Sequence, residues 1–426
     1  MDVTFCNAIN PSLEKNITLG HLLTNNQRTL IEALLTMKDI HIAIIGAGIG
    51  GMTAAVTLAQ KGFKVNVFEQ APELSEVGAG LTVTPNATKG LIYLGLGEAI
   101  KKIGMAHELQ GVRHYQTKEM IVPLKRGERM LEKYGAYQFQ LHRADIHDIL
   151  INDLEKHLPG CIFLNHQLVD LDQKSDKVKL TFNNQAEREF DFVIGADGTR
   201  STVRKSIFGT DEAEFSGYVA WRGIVPTQGL DESDFDECGS SAFISPGRVF
   251  ARYLIRDAKE YNYVAFLATD DWAEEGWSIT SKVETVLENF SDYNQQVKNI
   301  ISATPPEGCY KWGIFTRQPI AKWSSDQVTL LGDAAHPLEP FMGQGASMAI
   351  EDGVVLGRII EDSSDFSEII GRYEAARIER CHFVTEHSKK AGQRFTGNNP
   401  DSYTKEDHKN EEELGLFNYD PGNIMV

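Results

Sequence analysis

Cysteine is scarce in this sequence and never occurs as a closely spaced pair. No CxxC motif is found, and the five cysteines are Cys6, Cys161, Cys238, Cys309 and Cys381. An odd number of distant cysteines is typical neither of a disulfide framework nor of a zinc site, and it suits a reducing compartment. The missing CxxC motif also argues against a disulfide reductase.

Long apolar runs and a basic surface are missing as well. No stretch of about 18 uninterrupted apolar residues occurs, which predicts no transmembrane helix, and the N-terminus lacks the basic start and apolar core of a secretory signal. Lysine and arginine total 42 against 60 aspartate and glutamate, a net charge of −18. Because an acidic chain without a basic patch repels phosphates, we expect a cytoplasmic protein that binds neither nucleic acid nor membranes.

The first 36 residues differ from those that follow. They are polar apart from an amphipathic stretch at 26–35, which predicts a short helix. An apolar strand pattern begins abruptly after Met37, and we favour Met37 as the physiological start. We therefore interpret residues 1–36 as an N-terminal extension of doubtful functional relevance.

A strand-helix-strand pattern opens the remaining chain. Two apolar, β-branched runs flank a run of helical composition, and the three segments are 40–45 (IHIAII), 53–61 (TAAVTLAQK) and 64–69 (KVNVFE). Such a unit, with a glycine loop after its first strand, is typical of a parallel crossover.

The glycine loop of this unit indicates a dinucleotide site. Gly46 permits a tight turn, Gly48 lets a pyrophosphate approach the amides of the helix N-terminus, and Gly51 lets the helix pack closely on the strand. Glu69 ends the second strand 18 residues after Gly51, where its carboxylate can bind adenosine ribose hydroxyls. The pattern does not distinguish NAD from FAD.

A second glycine-containing element lies at 327–352 (QVTLLGDAAHPLEPFMGQGASMAIED). Asp333 follows a predicted strand and is positioned to bind the ribityl chain of a flavin. The helix that begins near Gly345 directs N–H groups at the flavin pyrimidine edge, where they stabilise negative charge. An aspartate cap on a helix explains Asp333 alone but not the whole array, so this element favours FAD.

Six stretches between residues 40 and 355 together resemble one enzyme family. In chain order they are IIGAGIGGMTAAVTLAQKGFKVNVFEQ, EVGAGLTVTPNATKGLIYLGL, LHRADIHDIL, DFVIGADGTRSTVR, GYVAWRGIVP and VTLLGDAAHPLEPFMGQGASMAIEDG. In this order and combination they are similar to the class A, single-component FAD-dependent aromatic hydroxylases, most of all to the salicylate hydroxylase branch.

The resemblance implies an α/β fold, with a Rossmann-like FAD-binding domain and an interleaved antiparallel β-sheet substrate domain. The predicted division is an FAD-binding domain over 37–110, 141–212 and 313–360, a substrate domain over 111–140 and 213–312, a helical segment over 361–396 and an acidic tail over 397–426. We expect the tail to be loosely packed.

The resemblance also implies which residues contact FAD. They are Gly46, Gly48, Gly51, Glu69, Gln70, Arg143, Asp197, Gly198, Asp333, Gly343, Gly345 and Ala346. Arg143 matches an arginine near the flavin phosphates, where a guanidinium suits an anionic ligand. Taken by itself, Asp197 is typical of a side-chain cap at a strand-to-helix turn.

The implied reaction consumes NADH or NADPH together with O2. Hydride transfer reduces the flavin, oxygen then gives a flavin hydroperoxide, and its distal oxygen attacks an electron-rich ring. The expected substrate is a small aromatic compound such as a hydroxybenzoate, salicylate or an N-heteroaromatic acid. No metal is expected.

Three residues are candidates for catalysis, namely Tyr218, His336 and Pro340. Pro340 is expected beside the isoalloxazine, and Tyr218 stands where some relatives carry a histidine base. His336 either orients the substrate or nicotinamide or bonds to backbone in its own loop, and both interpretations stay open. Trp221 is interpreted as core packing.

Further polar residues have two interpretations each. Arg222 and Arg252 either bind a substrate carboxylate or form surface ion pairs. Thr82 and Thr84 are expected to face the ring pocket, while Asn86 fixes a turn.

Three alternatives to a small-molecule hydroxylase remain at this point. They are a monooxygenase that modifies a larger polyketide or antibiotic, a non-hydroxylating NAD-linked oxidoreductase, and a flavoprotein without catalytic activity. We expect a monomer or a homodimer.

Overall fold

The computed structural model describes residues 37–74, 79–174, 176–210, 212–270, 272, 279–397, 400–404 and 411–426. The predicted helix at 26–35 lies outside the described residues. The described strands are β1 (His41–Ile45), β2 (Lys64–Phe68), β3 (Gly80–Val83), β4 (Leu109–His114), β5 (Met120–Lys125), β6 (Phe139–His142), β7 (Ile162–Phe163), β8 (Leu168–Asp172), β9 (Val178–Phe182), β10 (Glu187–Phe190), β11 (Phe192–Gly195), β12 (Glu214–Pro226), β13 (Ser240–Ser245), β14 (Arg248–Ile255), β15 (Glu260–Ala268), β16 (Ile279–Thr280), β17 (Tyr310–Thr316), β18 (Ser324–Ser325) and β19 (Val328–Leu330).

Helices cover the sheets and connect their strands. The described α-helices are α1 (Ile49–Gln60), α2 (Pro85–Tyr93), α3 (Gly97–Ile103), α4 (Glu128–Tyr134), α5 (Arg143–His157), α6 (Thr202–Phe208), α7 (Val283–Asn289), α8 (Gln295–Ser302), α9 (Gly345–Asp362) and α10 (Phe366–Phe395). Within the described ranges, none of these helices combines the length and the apolar character that crossing a bilayer requires.

A mostly parallel sheet forms the first half of the architecture. The described strands follow the order β18-β19-β11-β1-β2-β7, and β1 runs parallel to both β2 and β11. The last four residues of β1 are buried, as expected of a parallel strand covered on both faces. Helix α1 packs against α5 and α9. The predicted strand-helix-strand unit is therefore confirmed, with the helix beginning at Ile49, directly after the glycine loop.

A second, larger sheet is mostly antiparallel. Its described strands follow the order β16-β17-β12-β15-β14-β13-β4-β5, and all neighbours are antiparallel except β13 and β4. Strands β4 and β5 come from the first third of the chain and join the edge of a sheet whose other strands come later in the sequence. One face of this sheet packs against α7 and α8 around Trp221 and Phe290.

The C-terminal residues pack on the body of the protein. Leu416 and Phe417 are buried, Lys89 donates to the Phe417 carbonyl, and Arg358 donates to the carbonyls of Pro421 and Ile424. The expectation of a loosely packed tail is wrong for residues 411–426, because two apolar side chains and the backbone carbonyls anchor an otherwise acidic segment.

Candidate functional site

A cavity of about 490 Å³ is lined by loops that follow strands of the parallel sheet and by strands of the larger sheet. The loops that follow β1, β11 and β19 form one side, and strands of the larger sheet form the other. Ligands of open α/β sheets bind at the carboxyl ends of the parallel strands, where these loops lie. The volume is in the usual range for a cofactor or small-molecule site.

The glycine loop after β1 lines this cavity with Gly48, Ile49 and Gly50. Gly46 has a φ of +102°, and a Cβ added there would lie 2.4 Å from the Ala196 carbonyl oxygen. A Cβ on Gly51 would lie 2.1 Å from the Gly46 oxygen. Gly48 differs, because it lines the cavity and no atom lies within 4 Å of its added Cβ. The loop thus leaves a cradle in front of the α1 N-terminus, which fits a pyrophosphate.

Glu69 and Gln70 lie at the end of β2 and do not line the cavity in this conformation. The Glu69 carboxylate accepts hydrogen bonds of 2.9 Å from the amides of both Ala47 and Ala71. It therefore ties the glycine loop to the end of β2. Gln70 is exposed in a bend. Their contact with adenosine stays a prediction.

Asp333 and Arg143 both line the cavity. The Asp333 side chain is open to the cavity, but protein atoms surround the cavity itself. This enclosure raises the pKa of the Asp333 carboxyl, and the charges of His336 and Arg143 oppose the change. Arg143 is the first residue of α5. The structure therefore brings a hydrogen-bonding carboxylate and a cation to one cavity, which suits the polyol and phosphates of FAD.

Asp197 caps a helix instead of facing the cavity. Its carboxylate accepts hydrogen bonds from the amides of Thr202 and Val203 at 2.7 and 3.1 Å, and burial raises its pKa. The neighbouring Gly198, with a φ of +75°, does line the cavity. The geometry favours the capping interpretation for Asp197, and its contact with FAD stays a prediction.

The loop after β19 contributes the longest stretch of the cavity wall. The predicted residues Pro340, Gly343, Gly345 and Ala346 all line it. Gly343 has a φ of +62°, and nothing lies within 4 Å of a Cβ added to Gly345. Helix α9 begins at Gly345, so its N-terminus lies at the cavity, where it would favour the negative charge of a flavin pyrimidine edge.

Residues behind this loop hold it in position. Thr82 and Thr84 line the cavity, and the Thr84 hydroxyl donates to Ser347 at 2.8 Å. The Asn86 amide donates to Glu351 Oε1 at 2.6 Å. These bonds join α2 to the start of α9, so Asn86 fixes a contact between helices, and its role in its own turn stays a prediction.

Two of the three catalytic candidates do not line the cavity. Tyr218 shares a face of β12 with Arg222, but the Phe341 ring covers it at a centroid distance of 4.9 Å, and its hydroxyl bonds to Thr396 at 3.2 Å. His336 is buried, with Nε2 2.6 Å from Asp352 Oδ2. Neither placement supports direct contact with a substrate.

His336 belongs to a buried ionic cluster that the sequence analysis missed. Arg377 donates to Asp352 and Glu351 at 2.7 Å each, and Arg380 also bonds to Glu351. Burial disfavours ionisation of Asp352, but the charges of His336 and Arg377 outweigh it and lower its pKa to about 2. The sequence signal for this cluster is the adjacent acidic pair Glu351 and Asp352 within the mostly apolar helix α9.

Aromatic rings and arginines line the side of the cavity that belongs to the larger sheet. The rings of this sheet are Tyr253, Phe266 and Trp312, and they are joined by Phe341 from the loop after β19 and Phe395 from α10. Arg222 is 4% exposed and its guanidinium carbon lies 5.5 Å from the Trp312 centroid. Arg252 is fully buried, donates to the Cys238 carbonyl and pairs with Asp236. Surface ion pairs are therefore wrong for both arginines, while the core interpretation of Trp221, 1% exposed, is confirmed.

Glu339, next to Pro340, is an isolated buried carboxyl. It is 3% exposed, and its Oε2 has no hydrogen-bond partner among the described residues. Burial raises the pKa of Glu339 to about 7, although the charge of Lys389 opposes this. The folded protein therefore keeps a proton on Glu339 that the unfolded chain has already lost between about pH 4.5 and 7.

Glu339→Gln is expected to stabilise the protein at alkaline pH only. Because the folded-state pKa is raised, wild-type stability falls as pH rises through this window, by up to about 3 kcal/mol above pH 7. Urea unfolding at pH 4.5 and pH 8 measures the effect. The exposed Glu132→Gln is the matched control, and an equal gain at both pH values would contradict the assignment.

Comparisons with known proteins agree with this geometry. A family model described as an FAD binding domain matches residues 39–387. The chain is 33% identical over 392 residues to 6-hydroxynicotinate 3-monooxygenase of Pseudomonas fluorescens, covering 90% of this chain and 96% of that protein. It is 30% identical over 360 residues to 3-hydroxybenzoate 6-hydroxylase of Polaromonas naphthalenivorans, covering 83% and 88%.

Solved structures share the fold. Klebsiella pneumoniae HpxO complexed with FAD and uric acid superimposes with a TM-score of 0.79 at 24% sequence identity, covering 90% of this chain and 97% of that chain. At this identity the similarity concerns the fold, including the arrangement of the two sheets.

Proposed function

The chain belongs to the class A FAD-dependent aromatic hydroxylases and is an NAD(P)H-consuming monooxygenase, and on that premise we propose that its substrate is a small hydroxylated aromatic carboxylic acid. The observation that carries the proposal is a cavity with aromatic walls and buried arginines in a chain whose net charge is −18. Four arginines line this cavity, namely Arg126, Arg143, Arg222 and Arg252, although the chain as a whole is acidic.

The relatives support the same substrate class. Those named above act on 6-hydroxynicotinate and 3-hydroxybenzoate, each a ring with one hydroxyl and one carboxylate. A hydroxyl enriches the ring in electrons, and a carboxylate is what a guanidinium binds best. The aromatic side chains of Trp312 and Phe341 line the cavity. Such a lining favours a compact aromatic molecule over a larger polyketide or antibiotic.

Bound FAD supplies the redox chemistry, taking a hydride from NAD(P)H and activating O2. In our proposal the chain's own residues do the rest. The amides beside Gly48 and Gly345 bind the pyrophosphate and the pyrimidine edge, Asp333 accepts from the ribityl hydroxyls, and Arg143 neutralises phosphate charge. Phe266 and Trp312 pack on the substrate ring and exclude water.

A substrate panel tests the proposal. The FAD-loaded protein is assayed for NADH and NADPH oxidation with 3-hydroxybenzoate, salicylate, 6-hydroxynicotinate and the carboxamide of each. We expect the acids to stimulate oxidation more than the amides and mass spectrometry to show one added oxygen atom in the product, accompanied by loss of carbon dioxide where the attack falls on the carboxyl-bearing carbon. A protein that takes up no flavin, or consumes NAD(P)H without oxygenated product from any acid, would refute it.

Two further statements belong to this proposal. We place the enzyme in the cytoplasm and expect a monomer or a homodimer. Fractionation and light scattering test them independently of the assay.

A further inference from the structure

Arg126 is a buried arginine on the wall of the cavity. It directly follows β5, lines the cavity and is 3% exposed. Its Nε donates to Gln110 Oε1 at 3.2 Å, and its guanidinium carbon lies 5.6 Å from the Phe417 ring centroid. Burying a cation is costly unless an anion compensates for the lost water. The contacts of Arg126 therefore indicate which anion compensates its charge.

Two carboxylates of the C-terminal segment approach Arg126 without binding it closely. Glu411 and Glu412 each lie 3.4 Å from one of its terminal nitrogens. Glu412 bonds more closely elsewhere, at 2.6 and 2.8 Å to Arg129 and at 2.7 Å to Lys133. Charge-assisted bonds of this kind normally measure about 2.7–2.9 Å. Arg126 therefore retains capacity for a closer carboxylate.

Glu411 lines the same cavity. Burial raises the pKa of its carboxyl, and the charges of Arg126 and Arg394 oppose that change. A carboxylate of the chain itself thus faces into an aromatic cavity beside a buried arginine. An aromatic acid would bring the same group to the same position.

We infer that Arg126 is the residue that selects the carboxylate of the substrate, and that Glu411 occupies its guanidinium until the substrate replaces it. The inference rests on the proposed function and adds the specificity-determining pair. Leu124, two residues earlier on β5, lines the cavity in one apolar cluster with Val112 and Phe341. An acid bound at Arg126 therefore has an apolar surface beside it for its ring.

Replacing Arg126 and replacing Glu411 are expected to change the affinity for the acids in opposite directions. Binding of 3-hydroxybenzoate and 6-hydroxynicotinate, and of their carboxamides, is titrated on FAD-loaded enzyme by the change in flavin absorbance. Arg126→Gln is expected to weaken binding of the acids by at least about ten-fold and of the amides by less than about two-fold. Glu411→Gln is expected to tighten acid binding by about three-fold or more, since the competing carboxylate is gone.

Controls separate selection from folding. Lys133→Gln removes a partner of Glu412 at the surface and is expected to leave both affinities unchanged. In the Arg126→Gln background, Glu411→Gln is expected to give no gain. If Arg126→Gln does not fold, the gain in Glu411→Gln still decides the question.

Two results would overturn the inference. One is that Arg126→Gln loses affinity equally for the acids and the amides. The other is that Glu411→Gln binds the acids with unchanged affinity. Either result leaves the proposed function standing as long as wild-type enzyme oxygenates an acid. Failure of every acid in the wild-type panel would instead refute the proposed function itself.

Discussion

Replacing Gly48 with valine is expected to weaken the binding of FAD while the apoprotein folds normally. Gly48 has a φ of −67° and a ψ of 175°, a conformation that any residue adopts. A Cβ there meets no protein atom within 4 Å, so the new side chain projects into the cavity. It would take the space through which a pyrophosphate reaches the α1 amides. We expect FAD affinity to fall by at least about ten-fold, or about 1.4 kcal/mol.

The test for Gly48→Val compares flavin content with stability. Bound FAD is measured by absorbance after desalting, and unfolding of the apoprotein by urea titration. Gly371→Val is the matched control, because its Cβ also meets nothing and it lies on α10 away from the cavity. Full flavin retention in Gly48→Val would show that the cradle does not bind FAD. Gly51→Ala should instead unfold the apoprotein, since its Cβ overlaps the Gly46 oxygen.

Replacing Arg377 with methionine is expected to lower the free energy of unfolding by about 3–5 kcal/mol. Arg377, Glu351 and Asp352 are all fully buried, so removing the shared cation leaves two carboxylates in a low-dielectric interior. Arg380 and His336 remain as partners and keep the loss from being larger. The free energy of unfolding from urea titration measures the effect.

Lys390→Met on the same helix is the control for Arg377→Met. Lys390 forms an exposed i,i+4 pair with Glu386, and its removal is expected to leave stability unchanged within error, because solvent screens such pairs. Similar losses in the two variants would show that the buried cluster contributes no more than a surface ion pair.

The glycine elements could be predicted from the sequence because their constraints are local. Gly46, Gly48 and Gly51 act through turns and close contacts within a few residues, and parallel topology brings the loops after β1 and β19 to the same edge. Asp333 and Gly345 therefore reach the cavity as predicted. Their roles toward FAD stay predictions.

Residues whose surroundings come from distant segments were harder to predict. The alternation of β12 correctly places Tyr218 and Arg222 on one face and Trp221 on the other. It does not reveal that Phe341, more than a hundred residues later, covers Tyr218 and leaves Arg222 open to the cavity. His336 likewise depends on Asp352, which only the packing of α9 under the loop brings within 2.6 Å.

Composition was misleading for the C-terminal segment. Its acidic residues suggested a solvated tail, but Glu412 pairs with Arg129 and Lys133 and Phe417 is buried against Arg126. The cations that pair with Glu412 lie on α4, far away in the sequence, so composition does not show that this acidic residue is held against the body of the protein. The same charges supply the carboxylate that faces Arg126.

The parallel contact between β13 and β4 has a consequence for how this enzyme is made and altered. The edge hairpin β4–β5 is synthesised more than a hundred residues before its neighbour β13. Neither layer of the molecule is therefore a contiguous piece of chain that can be expressed, swapped or evolved as a module. Such long-range pairing slows folding, so grafting a foreign substrate layer onto this flavin scaffold requires exchanging at least two separated segments together.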